Sequence, residues 1–168
     1  IEHSIIGSIT TEARERAGEP QQIQITDSVL DATSEDRIAL GSSRGAVAYV
    51  ALTIARSTVI GRVQTHSIEL AENTIFNGVV TVARRGRGCV RFCYVSDDSR
   101  TPRRYECQPD LVKQAVMADP KIADKAVVVE QEADRVRPVF NSLRYGTPTY
   151  CQLADRCAEE ITRGAEDE

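Results

Sequence analysis

Ser4-Ile5-Ile6-Gly7-Ser8-Ile9, Asp27-Ser28-Val29-Leu30-Asp31-Ala32, Thr58-Val59-Ile60-Gly61-Arg62-Val63 and Thr74-Ile75-Phe76-Asn77-Gly78-Val79 read as copies of one cassette. Each holds a small polar residue, two apolar residues and a Gly, Asn or Asp suited to a sharp corner. Alternating stretches precede the later copies, with apolar pairs at Ile23/Ile25, Leu52/Ile54 and Ile68/Leu70. This is the period-2 signature of a strand buried on one face. Val79–Val82 and Val90–Val95 continue it. A unit that repeats in this way buries its apolar face by stacking on its neighbours. The expected fold is mainly β: a right-handed parallel β-helix (β-solenoid) over residues 1–95. A C-terminal mixed helical and irregular segment over 96–168 is expected to pack on the solenoid or cap it. A β-sandwich is the alternative, but it needs hairpin turns between paired runs, and Asn77-Gly78 alone has that form.

The copies are unevenly spaced, with Ile5, Val29, Val59 and Ile75 separated by 24, 30 and 16 residues. Stacked units absorb such variation as loops at their corners, and Thr11–Pro20 and Thr33–Gly45 have loop composition. After Val95 the pattern changes. Ser96–Pro102 is rich in turn residues, Asp110–Met117 has helical spacing behind a capping carboxylate, and a second helix is expected from Asp119-Pro120 to about Glu132. Pro138 ends that pattern; Val139–Leu143 reads as a short strand and Asp155–Arg163 as a brief helix. Ile1 opens without an initiator Met, and both ends are expected to have been cut from something longer.

Composition narrows the function classes. Apolar residues make up 41%, aromatics 5%, and Trp is absent, so the core must be built from Ile, Val, Leu and Ala. The net charge of −4 favours solubility and no particular partner. No apolar run reaches the length of a membrane span. Five cysteines, at 89, 93, 107, 151 and 157, follow no zinc or iron–sulfur spacing, and no secretory signal precedes them. Reduced thiols and cytoplasmic synthesis are expected, with a final place inside a particle. No cofactor and no metal are expected, since His3 and His66 lack a third ligand at recognisable spacing.

The arginines carry the strongest charge signal. Arg84, Arg85, Arg87, Arg91, Arg103 and Arg104, with Arg100 among them, crowd a short stretch interleaved with Phe92, Tyr94 and Tyr105. They are the candidate contact residues for a protein partner or a polyanion. Asp97, Asp98, Glu106 and Asp110 lie close enough to neutralise part of the cluster, so nucleic-acid binding is the lesser expectation. Asp27, Asp31, Glu69 and Glu72 are the carboxylates that a carbohydrate-active enzyme would need, but Asp is also an ordinary corner residue. Asn73 and Asn77 are candidates for an internal amide ladder. No catalytic motif is present, and no enzyme is expected.

Ala83–Val95, Ser99–Pro109 and Ser142–Leu153 with the acidic tail, taken with Ser57–Phe76, resemble a group of large uncharacterised bacterial right-handed parallel β-helix proteins. The genes of that group often accompany phage-tail-like contractile injection systems. The resemblance covers about residues 20–168 and transfers no catalytic motif. It departs at Ser96-Asp97-Asp98, where the group's turn is proline-rich, and its pattern continues past Glu168. It implies a structural or interaction module of a larger assembly, joined to protein partners or to its own copies. A carbohydrate-binding or carbohydrate-active β-helix is the alternative, and polyanion or nucleic-acid binding through the arginine cluster the second.

Overall fold

The computed structural model describes residues 1–12 and 18–163. Of the charged loop expected over Thr11–Pro20, residues 13–17 lie outside the described residues, as does the acidic tail over 164–168, while Thr11 belongs to a strand. Thirteen strands and three helices are present among the described residues. One sheet contains, in order, β1 (Ile5–Ile6), β4 (Val29–Asp31), β7 (Thr58–Ile60), β9 (Ile75–Asn77) and β12 (Tyr94–Val95). The other contains β2 (Ile9–Thr11), β3 (Gln21–Thr26), β5 (Ile38–Ser42), β6 (Ala48–Ala55), β8 (Arg62–Glu72), β10 (Val80–Val82), β11 (Cys89–Arg91) and β13 (Arg103–Tyr105). All the named strand pairs are parallel.

This arrangement corrects the expected single right-handed β-solenoid with a capping segment. The molecule is mainly β, with 39% strand and 15% helix, but its strands divide between two parallel sheets of five and eight strands. The larger sheet branches. The first half of β8 lies between β5 and β10, and its second half lies between β6 and β11. Pairing also continues past residue 95: β13 pairs β11, and Tyr94 bridges Gln108.

One apolar cluster draws on both sheets. Leu30, Val59, Phe76 and Val95 line up in register on the inner face of the five-stranded sheet. They meet Ile25, Leu52, Ile54, Val63 and Ile68 from the larger sheet. Each such side chain contributes about 1.5–3 kcal/mol on burial, so aliphatic residues suffice without Trp. Ile38–Ser42, inside the stretch expected to be a loop, is the buried strand β5.

The cassette acts through its corner. His3, Asp27, Arg56, Asn73, Phe92 and Glu106 are all left-handed, with φ between 45° and 54°. The residue after each of them, Ser4, Ser28, Ser57, Thr74, Cys93 or Cys107, donates its side-chain hydroxyl or thiol to the carbonyl two residues earlier, at 2.7–3.3 Å. These corners are stacked by backbone bonds such as Asp27 N to Ala55 O, Arg56 N to Glu72 O and Phe92 N to Tyr105 O. The hydroxyls also couple neighbours, since Ser4 N donates to Ser28 Oγ and Ser28 N donates to Ser57 Oγ. The third cassette copy therefore begins at Ser57 rather than Thr58. Asn73 and Asn77 occupy different columns and share no ladder: Asn73 sits at a corner, and Asn77 pairs in register with Ile60.

The C-terminal half packs on the five-stranded sheet. α1 (Asp110–Ala118) forms as expected, but Asp110 stands inside its first turn and binds Arg104. α2 (Lys125–Arg135) begins later than Pro120 would allow for a first helical position, because Asp124 accepts from Val127 N and caps it there. Val139–Leu143 forms only isolated bridges, Phe140 to Leu153 and Ser142 to Tyr150. α3 (Glu159–Thr162) is one short turn. Tyr150 Oη donates to Asp31 Oδ2 at 2.6 Å, and Arg137 pairs with Glu35 at 3.0 Å, which fastens this half to the sheet.

Ser57→Ala removes both the bond to Ala55 O and the acceptor for Ser28 N, leaving a buried donor unpaired. It is expected to lower stability by about 1–3 kcal/mol, read as a lower urea midpoint at unchanged slope.

Candidate functional site

β10 leads into the loop Ala83–Gly88 before the chain enters β11. Gly88 has φ +89°, and a Cβ there would collide with the Ile68 carbonyl, so the loop can cross β8 only with glycine. Thr81 bridges Arg100 and Cys89 pairs Arg103, so the flanks of this loop are in register with the flanks of the next corner, Thr101-Pro102. The expected arginine cluster thus occupies two adjacent corners.

The structure divides that cluster. Arg104 is a clamp inside the molecule, only 16% exposed in its side chain. It reaches Thr101 Oγ1, Asp110, and the carbonyls of Ser96 and Ser99. Arg87 pairs with Glu69 at 3.3 Å and Arg91 with Glu72 at 3.0 Å. Arg84, Arg85 and Arg103 are exposed, and among the described residues no carboxylate pairs with them. Arg84 borders a recess of 410 Å3 that also takes in His66, Ser67, Glu69, Gln22 and Arg87. His66 packs edge-on against Tyr49, with ring centroids 4.7 Å apart.

The four candidate carboxylates are each engaged within the chain. Asp27 accepts two nitrogens of Arg56 at 2.7 Å, which holds its carboxyl below the usual range. Asp31 accepts from Tyr150 and from Thr33 N. Glu69 meets Ser67 and Arg87, and Glu72 meets Arg91. His3, Glu2 and Asp27 bring their ligand atoms within 4.8 Å of one another. The spacing in sequence concealed this, because Asp27 arrives through the bridge from Glu2 to Thr26. Arg56 already occupies both oxygens of Asp27, so a cation there would face a guanidinium.

All five cysteines are free thiols. Cys93 and Cys107 are successive members of the corner ladder, and burial pushes both thiols up, away from thiolate reactivity. No described helix is long and apolar enough to cross a membrane.

The sequence did not single out Gln108, and it read Phe92 and Glu106 only as neighbours of the arginine cluster. They line a second recess of 340 Å3 beside α3. Their signal was the corner register: Phe92-Cys93-Tyr94 and Glu106-Cys107-Gln108 repeat the triplet Asn73-Thr74-Ile75, with Cys in place of the hydroxyl.

Arg104→Lys replaces a planar fork by a point charge that cannot serve four acceptors. It is expected to destabilise by about 2 kcal/mol, whereas Arg84→Ala should fall within about 0.5 kcal/mol of the parent, both measured by thermal melting. Comparison with known proteins returns no match: no family model, no curated protein and no solved structure matches this chain.

Proposed function

We propose that this chain is a structural and interaction module, a stiff parallel-sheet body that presents an arginine-rich corner to an acidic protein surface within a larger assembly. The observation that carries the reading is the division of the cluster. Arg87, Arg91 and Arg104 are matched by carboxylates of the chain, while Arg84, Arg85 and Arg103 are exposed at adjacent corners with no carboxylate partner among the described residues. An unmatched guanidinium keeps its full fork of donors for bidentate pairing with a carboxylate. The chain carries a net charge of −4, so a basic corner on it orients an approaching acidic partner. Tyr105, exposed on β13 beside the arginines, adds the aromatic contact common at protein interfaces.

The test is binding of poly-L-glutamate of defined length, followed by fluorescence anisotropy across a salt series. Saturable binding that weakens with salt is expected, with loss of about tenfold or more in the triple variant R84E/R85E/R103E. R87E should bind much as the parent does. Equal binding by the triple variant overturns the reading. Tighter binding of a single-stranded oligonucleotide of equal charge also overturns it and assigns the corner to nucleic acid instead.

A further inference from the structure

The arginine corner has a counterpart of opposite sign elsewhere on the same chain. A recess of 330 Å3 lies between the five-stranded sheet and α2, with Asn77, Gly78 and Tyr94 on one side and Glu130 and Asp134 on the other. Six carboxylates and two guanidiniums line it. Three of the carboxylates are matched: Glu35 by Arg137 at 3.0 Å, Asp36 by Arg62 at 3.2 Å, and Asp97 by Lys113. Asp98, Glu130 and Asp134 have no cationic partner among the described residues. Both lining guanidiniums are already used, so the charge left over is negative.

Two further observations show that charge at work. Glu130 and Asp134 stand four residues apart on α2, a spacing at which like charges repel and weaken the helix. A cation placed between them relieves that repulsion. Tyr94 senses the same field from the sheet: burial raises its phenol, and Asp97, Glu35 and Asp134 raise it further against the opposing charge of Arg137.

The arginine corner carries the charge that the recess lacks. Every residue of the loop Ala83–Gly88 is exposed, and a Cβ on Gly86 would meet nothing within 4 Å. Arg84 and Arg85 stand on this loop without a carboxylate partner among the described residues. β10 holds the loop away from the recess of its own molecule. Gly78 and Val79 line the recess, and the extended residues Val80–Val82 place the loop about 10 Å further on. Arg84 is also tied back there, its backbone N donating to His66 O at 2.8 Å.

We propose, on the reading of the corner as a docking surface for acidic protein, that the acidic surface is the recess of a second copy of this chain: Arg84 and Arg85 of one copy enter the recess of the next and pair with Glu130, Asp134 and Asp98. Guanidinium forks suit such carboxylates. The net charge of −4 on each copy opposes approach, but it is screened beyond about 8 Å at physiological salt, whereas the docked pairs lie inside that distance. Corner and recess are different surfaces, so each docking leaves one of each free. The contact is head-to-tail, and it builds a chain of copies.

The experiment is sedimentation velocity of the full chain over a concentration series at low and high salt. The parent is expected to sediment faster as concentration rises, through species larger than a dimer, and to return to monomer at high salt. R84Q/R85Q and E130Q/D134N should each stay monomeric, with association weakened by about tenfold or more. E130Q/D134N should melt no lower than the parent, since it removes two like charges from one helix face. Mixed in equal amounts, the two variants should form a 1:1 pair that grows no further, because one retains the recess and the other the corner. A parent that remains monomeric up to about 1 mM, or that stops at a symmetric dimer, overturns the proposal. Undiminished assembly by either variant, or a mixture that stays monomeric, overturns it too. A monomeric parent that still binds poly-L-glutamate sinks the self-docking alone; one that does neither sinks the reading of the corner as well.

Discussion

The rest of the structure depends on one repeated backbone device: a non-glycine residue in the left-handed region, followed by a short side chain that bonds to the carbonyl two residues before it. Left-handed geometry costs an ordinary L-residue about 1–2 kcal/mol, and six of these corners adopt it. A single hydroxyl bond, contributing about 0.5–1.5 kcal/mol, barely offsets one corner. Stacking supplies the remainder. Once the corners align, their backbone donors find acceptors on the next layer, and Leu30, Val59, Phe76 and Val95 fall into one buried row. Outward residues beside the inner corners then have a fixed neighbour above and below. Glu106 and Gln108 owe their placement in one recess to that alignment, as does Asp27 its reach to Arg56.

Part of this was legible in the sequence and part was not. The alternation at Ile23/Ile25, Leu52/Ile54 and Ile68/Leu70 marked real strands, since a strand buried on one face imposes period 2 whatever its partners. The helix over Asp110–Ala118 was also legible. Sheet membership was not, because β8 serves two sets of neighbours and its local pattern looks like any other strand. The third copy was placed one residue late because Ser57 and Thr58 are both small and polar; only the bond from Ser28 N to Ser57 Oγ distinguishes them. Cys93 and Cys107 hid two further corners by standing where the earlier copies have a hydroxyl. The arginine cluster was visible as composition, but its division into matched and unmatched members depends on Glu69, Glu72 and Asp110, which the fold brings up from different elements.

Charge in this molecule is mostly used for fastening. Arg56 ties one corner to the next, Arg135 holds Glu132 and Glu160 together, and Arg137 joins the C-terminal half to Glu35. Exposed pairs of this kind contribute little individually, about 0–1 kcal/mol. Their pattern is more informative than their energy. Against these pairs the corner arginines Arg84, Arg85 and Arg103 stand apart, neighbours in space with no carboxylate partner among the described residues.

The bonds from Tyr150 to Asp31 and from Arg137 to Glu35 span 119 and 102 residues of chain. Loop closure over such distances is entropically costly until the intervening layers exist, and contacts of this separation slow folding. As the chain leaves the ribosome, the strand bearing Asp31 is made long before the tyrosine that covers it. Until then the face of that strand that Tyr150 covers has no partner from the C-terminal half. The corner bonds of Ser4, Ser28 and Ser57, and the stacking of those corners on one another, need only residues already synthesised. The bonds of the first corners thus become available in synthesis well before the two that fasten the C-terminal half to the sheet.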